Sequence, residues 1–336
     1  MNALWRRSGI AILVVIVVGL ILPSDANVER SVEIDARPAM VYALLNDFRW
    51  VAEWTTRTLD DPNARTAISG PLRGVDAMFT WDGAIAGSGS ERIVANEPYN
   101  RVETRIDLGD GRDTRSVFTL ENDGALTTLH WTWERHYGMN LIGRYFALFL
   151  QGIVGEAMDE ELARLGELAE GLPRADFADL EAEQFFEEAR EIAYRRTTSF
   201  PEATAISEAM GDAFFEILNF IDRHGLEEAG APLSITRTFS GSELVFDAAI
   251  PVRNIGDDPP AAENGVNLGA TYEGSVIRVR HVGPYYTLGR THDKIVAYLA
   301  AMRLTRNGDA WEVYVSDPTR TAESELLTYI YYPVGN

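Results

Sequence analysis

The chain is organised around one stretch, Trp311-Glu312-Val313-Tyr314-Val315-Ser316-Asp317-Pro318. Its β-branched and aromatic residues predict a strand, which Asp317-Pro318 ends. Because side chains alternate along a strand, Glu312 and Tyr314 share one face, while Trp311 lies on the other. Glu312 is thus a carboxylate in an otherwise apolar run, so it either reaches water or lies in a partly buried site.

Two neighbouring segments supply aromatic residues that fit such a site. The strand that follows, 326–334, has tyrosines on both faces, and the strand before it, 276–282, breaks at Gly283-Pro284 into a helix. A carboxylate among aromatic rings suits an apolar or cationic small molecule. The alternative is a sheet whose Glu312 simply points to solvent. The candidate ligand-binding residues are Glu312, Tyr314, Tyr285, Tyr329, Tyr331 and His281.

These segments form the second half of a repeat of secondary structure. The first copy is predicted as a strand, a helix and two strands, at 192–199, 206–223, 233–239 and 243–250. The second copy follows the same order, at 275–282, 285–302, 310–315 and 325–332. Two such β-α-β-β units can pair their sheets and leave a cleft between the repeats.

The earlier part of the chain has a different order. An alternating strand at 28–35 precedes short helices that begin at Pro38, then a meander of antiparallel strands, then a long helix from about 141 to 169. The predicted apolar face of that helix comprises Ile142, Phe146, Phe149, Ile153, Leu162, Leu165 and Leu168. Both halves therefore predict an α+β fold.

Length and composition set the domain organisation. A chain of 336 residues exceeds one typical core, and Gly171-Leu172-Pro173 breaks the long helix. The sequence predicts a signal or anchor segment over 1–27 and a first domain over 28–170. A linker follows over 171–190, with an acidic helix over 177–190, and the second domain covers 191–336.

Charge and motifs exclude several function classes. The formal net charge of −21 repels phosphate backbones, so nucleic-acid binding is not expected. The chain has no cysteine, which removes disulfides, thiolate metal sites and cysteine nucleophiles. Neither a nucleophile elbow, a P-loop, a dinucleotide fingerprint nor a metal-ligand cluster is visible, so no cofactor and no metal are expected.

The N-terminus predicts export or anchoring. Arg6 and Arg7 precede an uncharged apolar run from Ile10 to Leu22, and small residues follow near Ala26. One interpretation is a signal peptide cleaved near Ala26. The other is a single membrane-spanning anchor that begins near Ala3, with both domains on the extracytoplasmic side under the positive-inside rule.

The first domain resembles the helix-grip fold of the START-like (SRPBCC, polyketide-cyclase-like) superfamily. The resemblance covers about 28–170, and its best signature is Val32-Glu33-Ile34-Asp35-Ala36-Arg37-Pro38-Ala39-Met40-Val41-Tyr42-Ala43-Leu44-Leu45-Asn46-Asp47, with Trp50 and Trp54 behind it. It implies a curved antiparallel sheet around the long helix, with a lipid or other apolar ligand often held between them.

The second domain resembles the GyrI-like, or AraC-type effector-binding, family. The motifs that carry this resemblance are His281-Val282-Gly283-Pro284-Tyr285, Trp311-Glu312-Val313-Tyr314 and Leu327-Thr328-Tyr329-Ile330-Tyr331-Tyr332-Pro333-Val334. It implies that Glu312 lies in the ligand cleft and meets ligands that are often cationic and aromatic. The family is usually fused to a DNA-binding helix-turn-helix, which this sequence does not show.

Two hypotheses of function follow. The first is an exported or membrane-anchored binding protein for an apolar small molecule, neutral or cationic, with its main site in the C-terminal cleft. The second is a hydrolase of small electrophilic compounds that uses Glu312 as a general base, with His281 as a candidate partner for proton transfer. A structural interaction protein is a third class that the sequence leaves open.

Overall fold

The protein is described by a computed structural model that covers residues 13–124 and 126–335. The chain forms two compact units that divide between Ala178 and Asp179. Arg6, Arg7 and the start of the apolar run at Ile10 lie outside the described residues. The part of that run that is described forms helix α1, residues 13–21.

The described residues of the first unit form one antiparallel sheet and, after α1, four further helices. Its strands are β1 (Asp25–Ile34), β2 (Arg65–Ser69), β3 (Met78–Gly83), β4 (Gly87–Glu97), β5 (Arg101–Asp107), β6 (Thr114–Asp123) and β7 (Leu126–His136). Its helices after α1 are α2 (Pro38–Leu45), α3 (Phe48–Trp54), α4 (Thr56–Leu59) and α5 (Leu141–Glu170). The seven strands run in the order β1-β7-β6-β5-β4-β3-β2, so the sheet is a meander with β1 added beside β7.

The core of the first unit lies between this sheet and helices α2, α3 and α5. Pro38 occupies the first turn of α2, where its missing N–H costs nothing. Trp54 meets Phe118 and Trp131 edge-on, with ring centroids 6.4 Å from each. Glu161 of α5 is buried and accepts hydrogen bonds from the Thr56 backbone N–H (2.8 Å) and hydroxyl (2.6 Å), which fixes α4 against the long helix.

The predicted apolar face of the long helix meets the core along only part of its length. Leu162 and Leu165 are buried, but Ile142, Phe146, Phe149 and Ile153 are exposed. The physical reason is the phase of the helix. Leu162 follows Ile153 by nine residues, and at 3.6 residues per turn this places the two on opposite sides. Gly155 marks the buried side, where a Cβ would overlap the guanidinium of Arg30 on β1.

The second unit contains the predicted repeat. Its strands are β8 (Ala182–Glu187), β9 (Glu191–Ser199), β10 (Glu227–Glu228), β11 (Leu233–Phe239), β12 (Leu244–Arg253), β13 (Val266–Ala270), β14 (Gly274–Val282), β15 (Thr305–Arg306), β16 (Trp311–Tyr314) and β17 (Leu327–Gly335). Its helices are α6 (Ala203–His224) and α7 (Leu288–Ala301), with 3₁₀ turns at Tyr285–Thr287 and Glu323–Glu325.

The two repeats join at the centre of one antiparallel sheet. The strand order is β13-β9-β12-β11-β16-β17-β14-β8, so the first repeat (β9, β12, β11) mirrors the second (β14, β17, β16) across the β11–β16 pair. Helix α6 packs on Phe246, Ala248 and Ile250 of the first repeat. Helix α7 packs on Ile277, Val279 and Ile330 of the second.

The predicted acidic helix over 177–190 is wrong, because residues 182–187 form the edge strand β8. This strand pairs with β14, and Phe185 packs toward the sheet core beside Tyr331. The acidic side chains that suggested a solvated helix instead lie along a sheet edge. There Glu183 pairs with Arg278, and Glu187 pairs with Arg190 at 2.6 Å.

A buried carboxylate ties three strands of the first repeat together. Asp247 of β12 is fully buried, and it accepts hydrogen bonds from Arg196 of β9 (Nε 2.7 Å, Nη2 3.0 Å) and from Arg237 of β11 (Nε 2.8 Å). Arg237 also pairs with Asp309 at 2.7 Å. Burial would raise the pKa of Asp247, but the hydrogen bonds and charges of the two arginines outweigh it and lower that pKa.

Within residues 13–124 and 126–335, no single helix is long and apolar enough to cross a membrane. Two consecutive segments, Leu141–Leu150 and Gly152–Glu170, meet the length and composition criteria only together, and they are bent by 45°.

Candidate functional site

The site is built on strand β16, which lies at the centre of the second unit between β11 and β17. In this register Glu312 lies opposite Ser234 on one side and Ile330 on the other. Ile330 belongs to the core beneath helix α7. Since cross-strand partners point to the same face of a sheet, Glu312 and Tyr314 lie on the face that α7 covers.

Glu312 is held by two hydrogen bonds, one at each carboxylate oxygen. His292 of α7 contacts Oε1 through Nε2 at 2.8 Å, and the Tyr314 hydroxyl donates to Oε2 at 2.7 Å. The other ring nitrogen of His292, Nδ1, lies 2.8 Å from the Tyr332 hydroxyl. A neutral His292 fits this chain with Tyr332 donating to Nδ1 and Nε2–H donating to Glu312. The side chain of Glu312 is 17% exposed, so solvent reaches it.

His281 does not form the proton-transfer pair with Glu312 that the sequence suggested. Its Nδ1 lies 2.8 Å from the Thr291 hydroxyl, and its Nε2 lies 3.2 Å from the Thr287 hydroxyl. Thr287 donates to the Pro284 carbonyl at 2.6 Å, so its oxygen is an acceptor for His281 Nε2–H. Burial lowers the pKa of His281 below its ordinary value. His281 therefore stabilises the turn before α7 as a neutral side chain, through its hydrogen bonds with Thr287 and Thr291.

Aromatic side chains line the region beside Glu312. Tyr285, in the turn before α7, meets Tyr314 edge-on with ring centroids 5.5 Å apart, and both rings are partly buried. Burial, followed by the Glu312 charge, raises the pKa of Tyr314 well above its ordinary value. Burial likewise raises the pKa of Tyr332 to about 12. Both phenols therefore stay protonated near neutral pH and can act as hydrogen-bond donors.

The structure brings together four of the six predicted site residues and separates the other two. Glu312, Tyr314, Tyr285 and His281 lie on the face beneath α7. Tyr329 and Tyr331 lie on the opposite face, with Trp311. There Tyr331 stacks on Trp311 at 4.8 Å between ring centroids, and Arg278 lies over the Tyr329 ring at 4.9 Å.

His292 and Tyr332 complete the cluster, and the sequence did not single them out as site residues. His292 precedes Glu312 by 20 residues on a different element, a spacing typical of no motif. Tyr332 could have been found from its alternation with Ile330, had the register between β16 and β17 been known. We call the set Glu312, His292, Tyr314, Tyr332 and Tyr285 the Glu312 cluster.

The chemistry of this cluster is that of a partly shielded anion among phenol rings. The carboxylate can attract a cation, and the rings can attract it further through their faces. Among the residues that the structure describes, no group of three or more histidine or acidic side chains is arranged to hold a metal ion. The first unit also has a partly buried ion pair, Arg57 with Glu91, in which the Thr104 hydroxyl donates to Glu91 at 2.6 Å.

Comparison with protein-family models agrees with this geometry. Residues 187–335 match the GyrI-like small molecule binding domain. The second domain is a GyrI-like domain. Residues 25–170 match the family described as polyketide cyclase / dehydrase and lipid transport, so the predicted fusion and its α+β folds are confirmed. Both families indicate small-molecule binding.

Several solved structures are similar to part of this chain. The EcmrR C-terminal domain is 13% identical, with a TM-score of 0.38, and the match covers 47% of this chain and 98% of that chain. A hydrolase from Listeria innocua is 13% identical, with a TM-score of 0.34 and coverage of 46% and 91%. A solution NMR structure from Thermobifida fusca is 20% identical, with a TM-score of 0.34 and coverage of 43% and 93%. A search of curated proteins found no match.

Proposed function

We propose that the GyrI-like domain binds an apolar, cationic small molecule against Glu312. The observation that carries this proposal is the carboxylate itself, which is partly exposed and lies beside the Tyr314 and Tyr285 rings. A carboxylate oxygen accepts more than one hydrogen bond, so the bonds from His292 and Tyr314 leave Glu312 able to meet a cation. Nearby ring faces would add cation–π attraction of about 0.5–2 kcal/mol.

We further propose that the protein acts at or beyond the extracytoplasmic face of a membrane. Support comes from the apolar sequence of α1 and from Arg6 and Arg7 before it, which favour export under the positive-inside rule. Retention as an anchor and cleavage near Ala26 are the two forms of this proposal. A label on α1 that reports water in vesicle-bound protein would contradict the anchored form.

The test of the binding proposal is a charge-for-shape substitution. Glu312→Gln keeps the side chain's shape and removes its charge. The ligands are benzyltrimethylammonium and neopentylbenzene, which share one shape and differ by one positive charge. We expect Glu312→Gln to weaken binding of the cation by at least about tenfold, which corresponds to ~1.4 kcal/mol, and to change binding of the neutral compound much less. Fluorescence or calorimetric titration measures both.

A control separates the local charge from the net charge of the chain. Glu183→Gln removes the same charge at an exposed position of β8, paired with Arg278. This variant should bind both compounds as the wild type does, because salt screens the interaction between exposed charges that lie more than about 8 Å apart. Equal losses for both ligands in Glu312→Gln would show that Glu312 acts through shape or folding. No loss for either would contradict the proposed site.

The alternative is hydrolysis with Glu312 as the general base. In the structure both oxygens of Glu312 already accept hydrogen bonds, from His292 and Tyr314. Attraction of a cation needs only the charge of the carboxylate, whereas a general base needs a lone pair aimed at a water that is held in position. We therefore propose binding without turnover. Consumption of a bound electrophile by the wild type, lost in a folded Glu312→Gln variant, would reverse this order.

A further inference from the structure

We propose that the first half of helix α5 lies in the lipid bilayer beside α1, as a second membrane contact of the first domain. This inference rests on the anchored form of the proposed membrane location. Its basis is the exposed stripe Ile142, Phe146, Phe149 and Ile153, which we call the α5 stripe. These residues are spaced by four, three and four positions, so they form one face of the helix. Phe149 is 68% exposed.

The α5 stripe has the composition of a membrane-facing surface. Between Arg144 and Glu156 the chain has no charged residue. Large exposed apolar patches on folded proteins mark contacts with membranes or with other proteins. A helix with such a face and a charged continuation is typical of segments that lie in the plane of the interface.

Helix α1 is held directly against the start of α5. The buried guanidinium of Arg144 donates through Nη1 to the carbonyls of Leu20 (3.1 Å) and Leu22 (3.0 Å), at the C-terminal end of α1. The Tyr145 hydroxyl donates to the carbonyl of Val15 at 2.6 Å. Gly19 lets the helices approach, because a Cβ there would lie 3.2 Å from both Leu141 and Tyr145.

These contacts set how deep α5 would lie. From Leu22 to Val15 they follow α1 for seven residues, which is about 10 Å at 1.5 Å per residue. Interfacial helices bury their apolar faces about 5–10 Å into the bilayer. If α1 is inserted, the α5 residues after Arg144 are carried into the same layer.

The occupant of this surface is lipid, and not a second copy of the chain. Every described residue of α1 except Gly19 is exposed, and all are apolar, so this helix has no polar face for water. The α5 stripe is joined to that helix by the hydrogen bonds of Arg144 and Tyr145. A net charge of −21 on each chain opposes close packing of two copies and favours a zwitterionic membrane over an anionic one.

The absence of cysteine in the chain permits a direct test. The variants Ile16→Cys, Phe149→Cys and Ile85→Cys are each labelled with an environment-sensitive fluorophore in the full chain, bound to phosphatidylcholine vesicles. Ile85 is the matched control, an apolar residue of the same unit that is 75% exposed in the β3–β4 turn. Quenching is compared between doxyl-labelled lipid and aqueous iodide, and the thermal transition of each variant reports folding.

We expect doxyl lipid, and not iodide, to quench the labels at Phe149→Cys and Ile16→Cys, with the reverse at Ile85→Cys. Lipid quenching at Ile16→Cys with iodide quenching at Phe149→Cys would overturn the α5 inference alone and leave the anchor intact. Iodide quenching at both would overturn the anchored form of the membrane location as well. A Phe149→Cys label shielded from both quenchers would identify a protein contact and overturn the lipid assignment. If Phe149→Cys does not fold, Ile142→Cys and Ile153→Cys take its place.

Discussion

Replacing Asp247 by asparagine tests the energetics of the first repeat. The carboxylate receives charge-assisted hydrogen bonds from Arg196 and Arg237, each worth about 1.5–3 kcal/mol. Asparagine keeps one acceptor oxygen but turns an NH₂ group toward the guanidinium donors. The arginines offset part of the loss, because their side chains are 58% and 35% exposed and can turn to water. We expect Asp247→Asn to lower the free energy of unfolding by about 3 kcal/mol. This is the lower end of the roughly 3–5 kcal/mol that breaking a buried ion pair costs.

The assay is urea and thermal unfolding of the full chain, followed by a probe in the second unit. For a unit of this size, a loss of about 3 kcal/mol lowers the Tm by roughly 6–12 °C. The matched control is Asp309→Asn, which removes the other carboxylate bound to Arg237. The side chain of Asp309 is 42% exposed. Exposed ion pairs contribute about 0–1 kcal/mol, so this control should shift the transition little.

The pH dependence gives the prediction a second readout. The folded state lowers the pKa of Asp247 below its ordinary value of 3.8. Its contribution is therefore fully present above pH 3.8 and is lost as the pH falls through the lower, folded pKa. The difference between wild type and Asp247→Asn should shrink in that acid range. A loss below about 1 kcal/mol at pH 7, or equal losses in both variants, would refute the reasoning.

Two further predictions concern titrating groups of the site. Burial lowers the pKa of His281 below 6.5, so as the pH falls this histidine takes up a proton in the unfolded chain before it does so in the folded chain. The free energy of unfolding should therefore fall as the pH drops through 6.5. His281→Gln should flatten that part of the stability profile, and an unchanged profile in urea titrations at pH 5 to 8 would contradict the assignment. Burial raises the pKa of Tyr332 to about 12 from 10, so its contribution is present below pH 10 and is lost toward pH 12. Tyr332→Phe should remove one late-ionising tyrosine from the absorbance titration; an unchanged titration would show that Tyr332 ionises normally.

The order of the repeat elements could be predicted from local sequence. Alternating apolar residues marked β9, β14 and β17, and Gly225 or Gly283 marked the breaks beside the helices. Such signals depend on neighbours along the chain. They failed at β8, where Phe185 and the pairing with β14 outweigh an acidic composition that resembles a solvated helix.

The parts that could not be predicted depend on contacts distant in sequence. Alternation correctly separated Tyr329 from Ile330, but only the register of β16 against β17 shows that Ile330 shares the face of Glu312. His292 reaches Glu312 because α7 packs across that face, which no spacing reveals. Along α5, apolar periodicity located the stripe at Phe149 but not the side that meets the core, since an apolar face looks the same whether protein or lipid covers it.

The pairing of the two repeats through β11 and β16 has a consequence for stoichiometry. Ser234 and Glu312 are cross-strand partners at the centre of that pair, so an approximate two-fold axis passes between equivalent positions of the two repeats. One position carries a carboxylate and the other a hydroxyl. At this pair of positions the duplicated second unit therefore carries one negative charge. Under the proposed function, the second unit should saturate with one equivalent of a singly charged cation, not two.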